Sequence, residues 1–252
     1  MWRETVRMDI LRDVGTPFRY AQDRSGVVEV PRYSIPEAAR YLRMSPATLK
    51  SWVAGRSYDT VKGGPRWWDH LIHRPDPNDP RLSFANLTEA FVLQALRKQY
   101  KVKMKEVRVA LDCAHRKLGV DRILLSKDLR ALRGGIFLRH LDTLINVGKG
   151  GQTAMPEILG AYLERVEWDD RDLPLRMFPF TRAEGLHSPK LLTINPEIAF
   201  GRPVIERKSI RTSSIAERFE AGESIASLAE DYDLEVAEVE EAIRYEALPI
   251  AA

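Results

Sequence analysis

The sequence predicts an α+β chain that is mainly α with small β elements: a pair of short helices followed by a hairpin, a small antiparallel sheet in the middle, and a C-terminal three-helix unit. Three observations predict it. Apolar residues recur three and four apart near residues 35–53, 84–111 and 213–246, which is the helical period. The glycine pairs Gly63-Gly64, Gly134-Gly135 and Gly150-Gly151 separate short runs, the turn signal of hairpins. A chain of 252 residues with 44% hydrophobic and 30% charged content is an ordinary globular one, long enough for two or three small domains. The expected segments are an N-terminal extension (1–32), a first domain (33–118), a middle region (119–180), a connector (181–199) and a C-terminal domain (200–252).

Taken in order, residues 1–32 show weak periodicity, with a short strand expected at Val27–Val30. Ser34-Ile35-Pro36-Glu37 has the form of a capping box, a hydroxyl followed three residues later by a carboxylate. Pro36 falls in the first turn, where its missing N–H costs nothing. Ala38, Ala39 and Leu42 make a small-residue face that a second helix can approach closely. Ser45-Pro46 opens that second helix after a turn of about three residues, and Leu49, Trp52 and Val53 form its apolar face. Arg43, Thr48, Lys50 and Ser51 are left over, as a helix-turn-helix that reads DNA requires.

Gly63-Gly64-Pro65 then predicts a hairpin, and Pro75, Pro77 and Pro80 a loop. Arg56, Lys62 and Arg66 on such a hairpin are available to phosphates, while Trp52, Trp67 and Trp68 are expected in the core and at the hairpin's base. Two longer helices follow: SFANLTEAFVLQALRKQY, with Phe84, Leu87, Phe91 and Leu96 on one face, and KMKEVRVALDCAHRKLG, with Val107, Ala110 and Leu111 inward. The order helix, turn, helix, hairpin, two helices over residues 33–118 resembles the MerR-like winged-helix family. The resemblance implies that the helix after Ser45 enters duplex DNA, with Arg40, Arg43, Ser45, Thr48, Lys50, Ser51, Arg56, Lys62 and Arg66 as its DNA-binding residues.

Residues 120–153 alternate apolar residues with turn pairs, which reads as a small sheet. A short helix carries Ile158, Leu159, Tyr162 and Leu163, and WDDRDLPLRMFPF and KLLTINPEIAFGRPVI read as strands and extended connectors. Three helices close the chain. Ser213 or Ser214 caps the first, which ends at Gly222. The second spans Glu223–Tyr232 with Ile225, Leu228, Ala229 and Tyr232 inward. The third spans Glu235–Glu246, so that a second helix-turn-helix outline appears.

Charge separates the two ends. Residues 32–74 carry eight Lys or Arg against three carboxylates, and residues 81–117 nine against three; residues 215–247 carry two against eleven. A basic front and an acidic rear suit partners of opposite charge. Phosphates would repel the acidic unit, so it is expected to bind protein.

The rear has a family likeness as well. Gly201, Pro203, Val204, Ile205, Ile210 and Ile215, followed by Phe219, Gly222-Glu223-Ser224-Ile225, Leu228-Ala229 and Asp231-Tyr232, resemble the small domain found in VapB-like antitoxins of type II toxin–antitoxin pairs. The pattern departs at Arg207-Lys208-Ser209-Ile210, where that family carries Gly-Thr-Arg-Ile. The resemblance implies a PIN-like ribonuclease toxin as partner, bound through Arg202, Arg211, Glu223, Asp231, Glu235, Glu238 and Glu241. It also implies autorepression at operator double-stranded DNA by a homodimer in the cytoplasm. The rival is a stand-alone MerR-like regulator with a ligand-sensing or oligomerising rear.

Enzymatic signals are weak. His70 with His73, and Cys113 with His115, lack convincing metal-ligand spacing. Gly148-Lys149-Gly150-Gly151 lacks the order of a phosphate-binding loop, and no nucleophile has a partnered base. Hence no enzyme, cofactor or metal is expected. With one cysteine, Cys113, no internal disulfide framework exists, and no apolar run nears the roughly 18 residues that would span a membrane.

Overall fold

The computed structural model describes residues 24–60, 64–100, 107–108, 111, 122–125, 160–182 and 188–247. The architecture is α+β. Helix α1 (Arg24–Glu29) leads into α2 (Ile35–Leu42) and α3 (Pro46–Val53), and strands β1 (Arg56–Thr60) and β2 (Gly64–Trp68) form an antiparallel hairpin. Val27–Glu29 is therefore helical and not a strand: the apolar run is too short for period to separate the two, and burial of Val28 against the first core decides for helix.

The turn between α2 and α3 is local chemistry. Ser34 Oγ accepts from the Glu37 N–H at 3.3 Å. The Glu37 carboxylate does not complete the box; it accepts from Tyr41 Oη at 2.9 Å instead. Arg43 closes α2 in the left-handed conformation (φ 55°), its N–H reaching the carbonyls of Ala39 and Arg40. Ser45 makes no side-chain cap, so Pro46 alone pre-sets the start of α3. Gly55 (φ +73°) links α3 to β1 where a Cβ would collide with the Trp68 carbonyl, a position only glycine fills without strain.

Helix α4 (Phe84–Tyr100) is the central post. Every side chain from Phe84 to Ala95 is buried, so its first three turns are covered on all sides rather than along one stripe. Its buried polar groups are satisfied. Gln94 Nε2 donates to the Leu42 carbonyl at 2.9 Å, fixing the end of α2, and Asn86 Nδ2 donates to the His73 carbonyl at 2.8 Å. Arg122 bridges Glu29 and Glu89 at 2.7 Å each. Val107 and Leu111, on the following helical stretch, are buried as expected. Ile123–Leu125 form a 3-10 turn and not a strand; the rest of the expected 120–153 sheet, and Ile158 and Leu159, lie outside the described residues.

Residues 160–163 are helical, and β3 (Val166–Trp168) pairs with β4 (Pro174–Met177). Tyr162 and Phe180 pack on Phe91 of α4, with ring centres 4.8 and 5.6 Å away. The buried Arg165 donates to the carbonyls of Phe178, Pro179 and Ser188 at 2.7–2.9 Å, locking the chain that leaves β4. One hydrophobic core thus runs from Val28 through α4 to Met177 and Ile194.

The C-terminal unit has its own core, from Leu192 to Tyr245. Strands β5 (Leu192–Thr193), β6 (Val204–Ile205) and β7 (Ile210–Arg211) form an antiparallel sheet. Residues 192–199 are therefore not a free connector: Leu192 and Ile194 are fully buried, and Ile194 also bridges to Met177. Helices α5 (Thr212–Glu220), α6 (Ile225–Tyr232) and α7 (Val236–Ala247) complete it. Helix α5 begins before Ser213 and Ser214, and its N-terminal residue Arg211 makes no side-chain cap. Gly222 (φ +99°) follows it as predicted.

Candidate nucleic-acid interface

Helix α3 buries Leu49, Trp52 and Val53 and exposes Ala47 and Lys50, with Thr48 and Ser51 half-buried. The buried trio sets its orientation, because the Trp52 carbonyl also accepts from the N–H groups of Leu71 (2.6 Å) and Ile72 (3.1 Å), tying the segment after the hairpin beneath α3. Register places Arg56 opposite Trp68 and Tyr58 opposite Arg66. Tyr58 stacks on Trp68 at 4.8 Å and 28°. Trp67, expected at the hairpin's base, is 63% exposed, because it stands on the other face from Trp68.

These elements enclose a cleft of about 620 Å³ whose lining, among the described residues, includes Thr48, Lys50, Arg56, Arg97 and Arg108 and no carboxylate. Arg97, from the last turns of α4, donates to Thr48 Oγ1 at 2.7 Å. Arg108 lies 5.4 Å from the Trp68 ring centre and donates to the Asp69 carbonyl. A polar, cation-lined recess beside a recognition helix can hold phosphate and leave Lys50 for base edges. Arg97 and Arg108 lie outside the helix-turn-helix motif. The excess of cations over residues 81–117 was the available signal; which of them reaches α3 is a tertiary fact.

The other expected DNA-binding residues are placed differently. Arg40 and Arg43 do not join this cleft. Arg40 pairs with Glu246 at 2.9 Å, and the Arg43 guanidinium lies 4.2 Å from the Tyr245 ring centre, where burial lowers its pKa. Both are taken up by α7 because α2 presents its last turn to the C-terminal unit. Tyr245, fully buried, donates its hydroxyl to the Tyr41 carbonyl at 3.1 Å, and burial raises its pKa. Ser45 is half-buried in the turn and Ser51 Oγ donates to the Thr48 carbonyl at 2.7 Å. Arg66 is placed by its backbone, and Lys62 lies outside the described residues.

The acidic rear needs a larger correction. Glu238 and Glu241 do not form an outer face; they are 5% and 1% exposed. Glu238 Oε2 accepts from the Glu235 N–H at 2.8 Å and pairs with Arg207, which holds its carboxyl below the usual range. Glu241 accepts from Thr181 and pairs with Arg244. Glu223 and Asp231 both clamp Arg218, and that pairing depresses the Glu223 pKa. Glu235 is exposed, as are Arg202 and Arg211, which line a second cleft between α2 and the start of α5.

His70 and His73 meet edge to face at 4.3 Å. Among the described residues, no three His, Cys, Asp or Glu are grouped to hold a metal, and no helix is long and apolar enough to cross a membrane.

Comparison with known proteins follows this division. Residues 31–111 match a family model described as "Putative DNA-binding HTH domain", and residues 192–245 match "Protein of unknown function (DUF433)". Across both, the chain is 27% identical over 223 residues to "Putative antitoxin VapB45" of Mycobacterium tuberculosis, covering 81% of this chain and 89% of the relative. The likeness is to a VapB antitoxin. The crystal structure of Rv2018 from M. tuberculosis superposes with a TM-score of 0.61 at 25% identity, covering 85% of this chain and 98% of that one. The VapB-like resemblance, with a helix-turn-helix at the front, agrees with these matches, and the second family model begins at β5, where the sheet begins.

Proposed function

We propose that this chain is an antitoxin of a type II pair. Its N-terminal helix-turn-helix and hairpin bind operator DNA and repress its own operon, and its C-terminal unit binds and neutralises a PIN-like ribonuclease. The observation that carries the DNA half is the cleft beside α3, whose described lining holds four cations and no carboxylate. The antitoxin half rests on a likeness to a VapB antitoxin that runs through both domains. On this reading the protein is not an enzyme and works in the cytoplasm. It acts as a homodimer, since two recognition helices about one DNA turn (~34 Å) apart multiply affinity. With Glu238 and Glu241 buried, the toxin-facing groups reduce to exposed ones: Arg202, Arg211, Asp231 and Glu235.

The test is co-expression with the neighbouring open reading frame, followed by purification through a tag on this chain. A co-eluting protein that is toxic when expressed alone is the expected result; a harmless neighbour that does not co-elute would overturn the antitoxin half. The docking of α7 on α2 favours a second reading, a one-component regulator whose rear unit controls DNA affinity. It predicts a small ligand that changes operator binding with no protein partner present.

A further inference from the structure

Several arginines among the described residues are fixed by two carboxylates each: Arg122 by Glu29 and Glu89, Arg176 by Glu167 and Glu206, Arg218 by Glu223 and Asp231. Arg97 is different. It is exposed, and its hold is a neutral hydroxyl, Thr48 Oγ1 at 2.7 Å. A guanidinium has five donors and keeps its charge at all relevant pH values. One donor is used on Thr48, and among the described residues lining the cleft there is no carboxylate to cancel the charge. Lys50 and Arg56 stand on the same cleft, and Arg108 closes it beside Trp68. Such an arrangement is pre-organised for an anion with several oxygens, because the fork is already held before the anion arrives.

We infer that Arg97, positioned by Thr48, seats one backbone phosphate of duplex DNA and thereby sets the depth at which α3 enters the groove. The inference rests on the DNA-binding reading above. It gives Thr48 a positioning role in place of base reading, and it joins α4 directly to the DNA: the helix that holds the end of α2 through Gln94 also reaches the backbone through Arg97.

The experiment is the salt dependence of binding, read by fluorescence anisotropy with the full chain. Two duplexes of about 30 base pairs are used, one of mixed sequence and one taken from upstream of the chain's own coding region. Arg97→Ala should weaken both alike, by about tenfold, and reduce the slope of log K against log salt by about 0.9, the signature of one lost phosphate contact. Arg97→Lys should keep the slope while losing part of the affinity. Thr48→Val should leave the slope unchanged and weaken binding a few-fold. An unchanged slope in Arg97→Ala, with Lys50→Glu still lowering affinity about 100-fold, would overturn this inference and leave the DNA reading intact. Loss of preference between the two duplexes in Arg97→Ala would also overturn it, since a base contact would then be at work. Equal, Arg97-dependent binding of a duplex RNA would overturn the commitment to DNA. No binding by the unaltered chain would remove both readings together.

Discussion

Two eight-residue helices, α2 and α6, begin and end alike. Ser34 and Ser224 each cap the third N–H beyond them, at 3.3 and 3.1 Å. Arg43 and Asp233 each close the helix in the left-handed conformation, at φ 55° and 51°. Aligning Ser34 with Ser224 puts Met44 on Leu234, Leu49 on Val239 and Trp52 on Ala242, all buried, and it puts Lys50 on Glu240, both exposed. One backbone device is thus used twice with opposite surfaces. The difference teaches that the helix-turn-helix outline is a way of packing two helices; charge at the outward positions decides whether nucleic acid can approach.

The comparison can be broken first where the two units touch. Tyr245→Ala should destabilise the chain by about 3–5 kcal/mol in chemical denaturation, through the lost ring and the uncovered Arg43, whereas Tyr245→Phe should cost about 1 kcal/mol for the bond to the Tyr41 carbonyl. Next, on the proposed DNA-binding role, Lys50→Glu should lower duplex-DNA affinity about 100-fold in an anisotropy titration, by reversing an exposed charge on α3. Glu240→Lys, at the matching position, should leave DNA affinity unchanged; a gain or loss there would mean that the rear unit also touches DNA.

Two buried carboxylates sharpen the contrast by pH. Burial pushes the Glu89 carboxyl up to about 7. Its stabilising contribution is fully present below its unfolded pKa, about 4.3, and is lost as pH rises through about 7, on the order of 3 kcal/mol. Arg207 holds Glu238 low, so its contribution is present above about 4.3 and is lost as pH falls through the depressed value. Thermal melts from pH 2 to 8 should show Glu89→Gln removing the loss of stability toward neutral pH, and Glu238→Gln removing a loss below about pH 4. The smallest effects are at the caps. Ser34→Ala and Ser224→Ala should each cost about 1 kcal/mol, and Ser45→Ala less than about 0.5 kcal/mol, because Ser45 makes no cap bond.

Much of this was legible in the residues. Serine caps, Pro36, Pro46 and the Gly63-Gly64-Pro65 turn place α2, α3 and the hairpin, and the apolar spacing places α6 and α7. Residue type misled where geometry did not. Glu238, Glu241 and Tyr245 stand three and four apart, on one stripe of α7, and all three are buried. Tyr245 reads as an apolar position, and the two glutamates share its stripe, while their charge suggests an outer face. Arg40 and Arg43 misled for a different reason: they occupy positions of the front motif that in this chain face a neighbour from the far end of the sequence. Arg97 could not be singled out among the cations near the end of α4 without knowing which of them passes Thr48.

The bond between Tyr245 and Tyr41 joins residues 204 apart, and that separation has a consequence for synthesis. Front-end residues emerge from the ribosome long before α7 exists, and contacts this distant in sequence close late. Until the final helix is made, the last turn of α2 lacks its cover, and Arg40 and Arg43 have neither Glu246 nor the Tyr245 ring against them. Helix α2 is therefore made long before α7, the helix that covers its last turn.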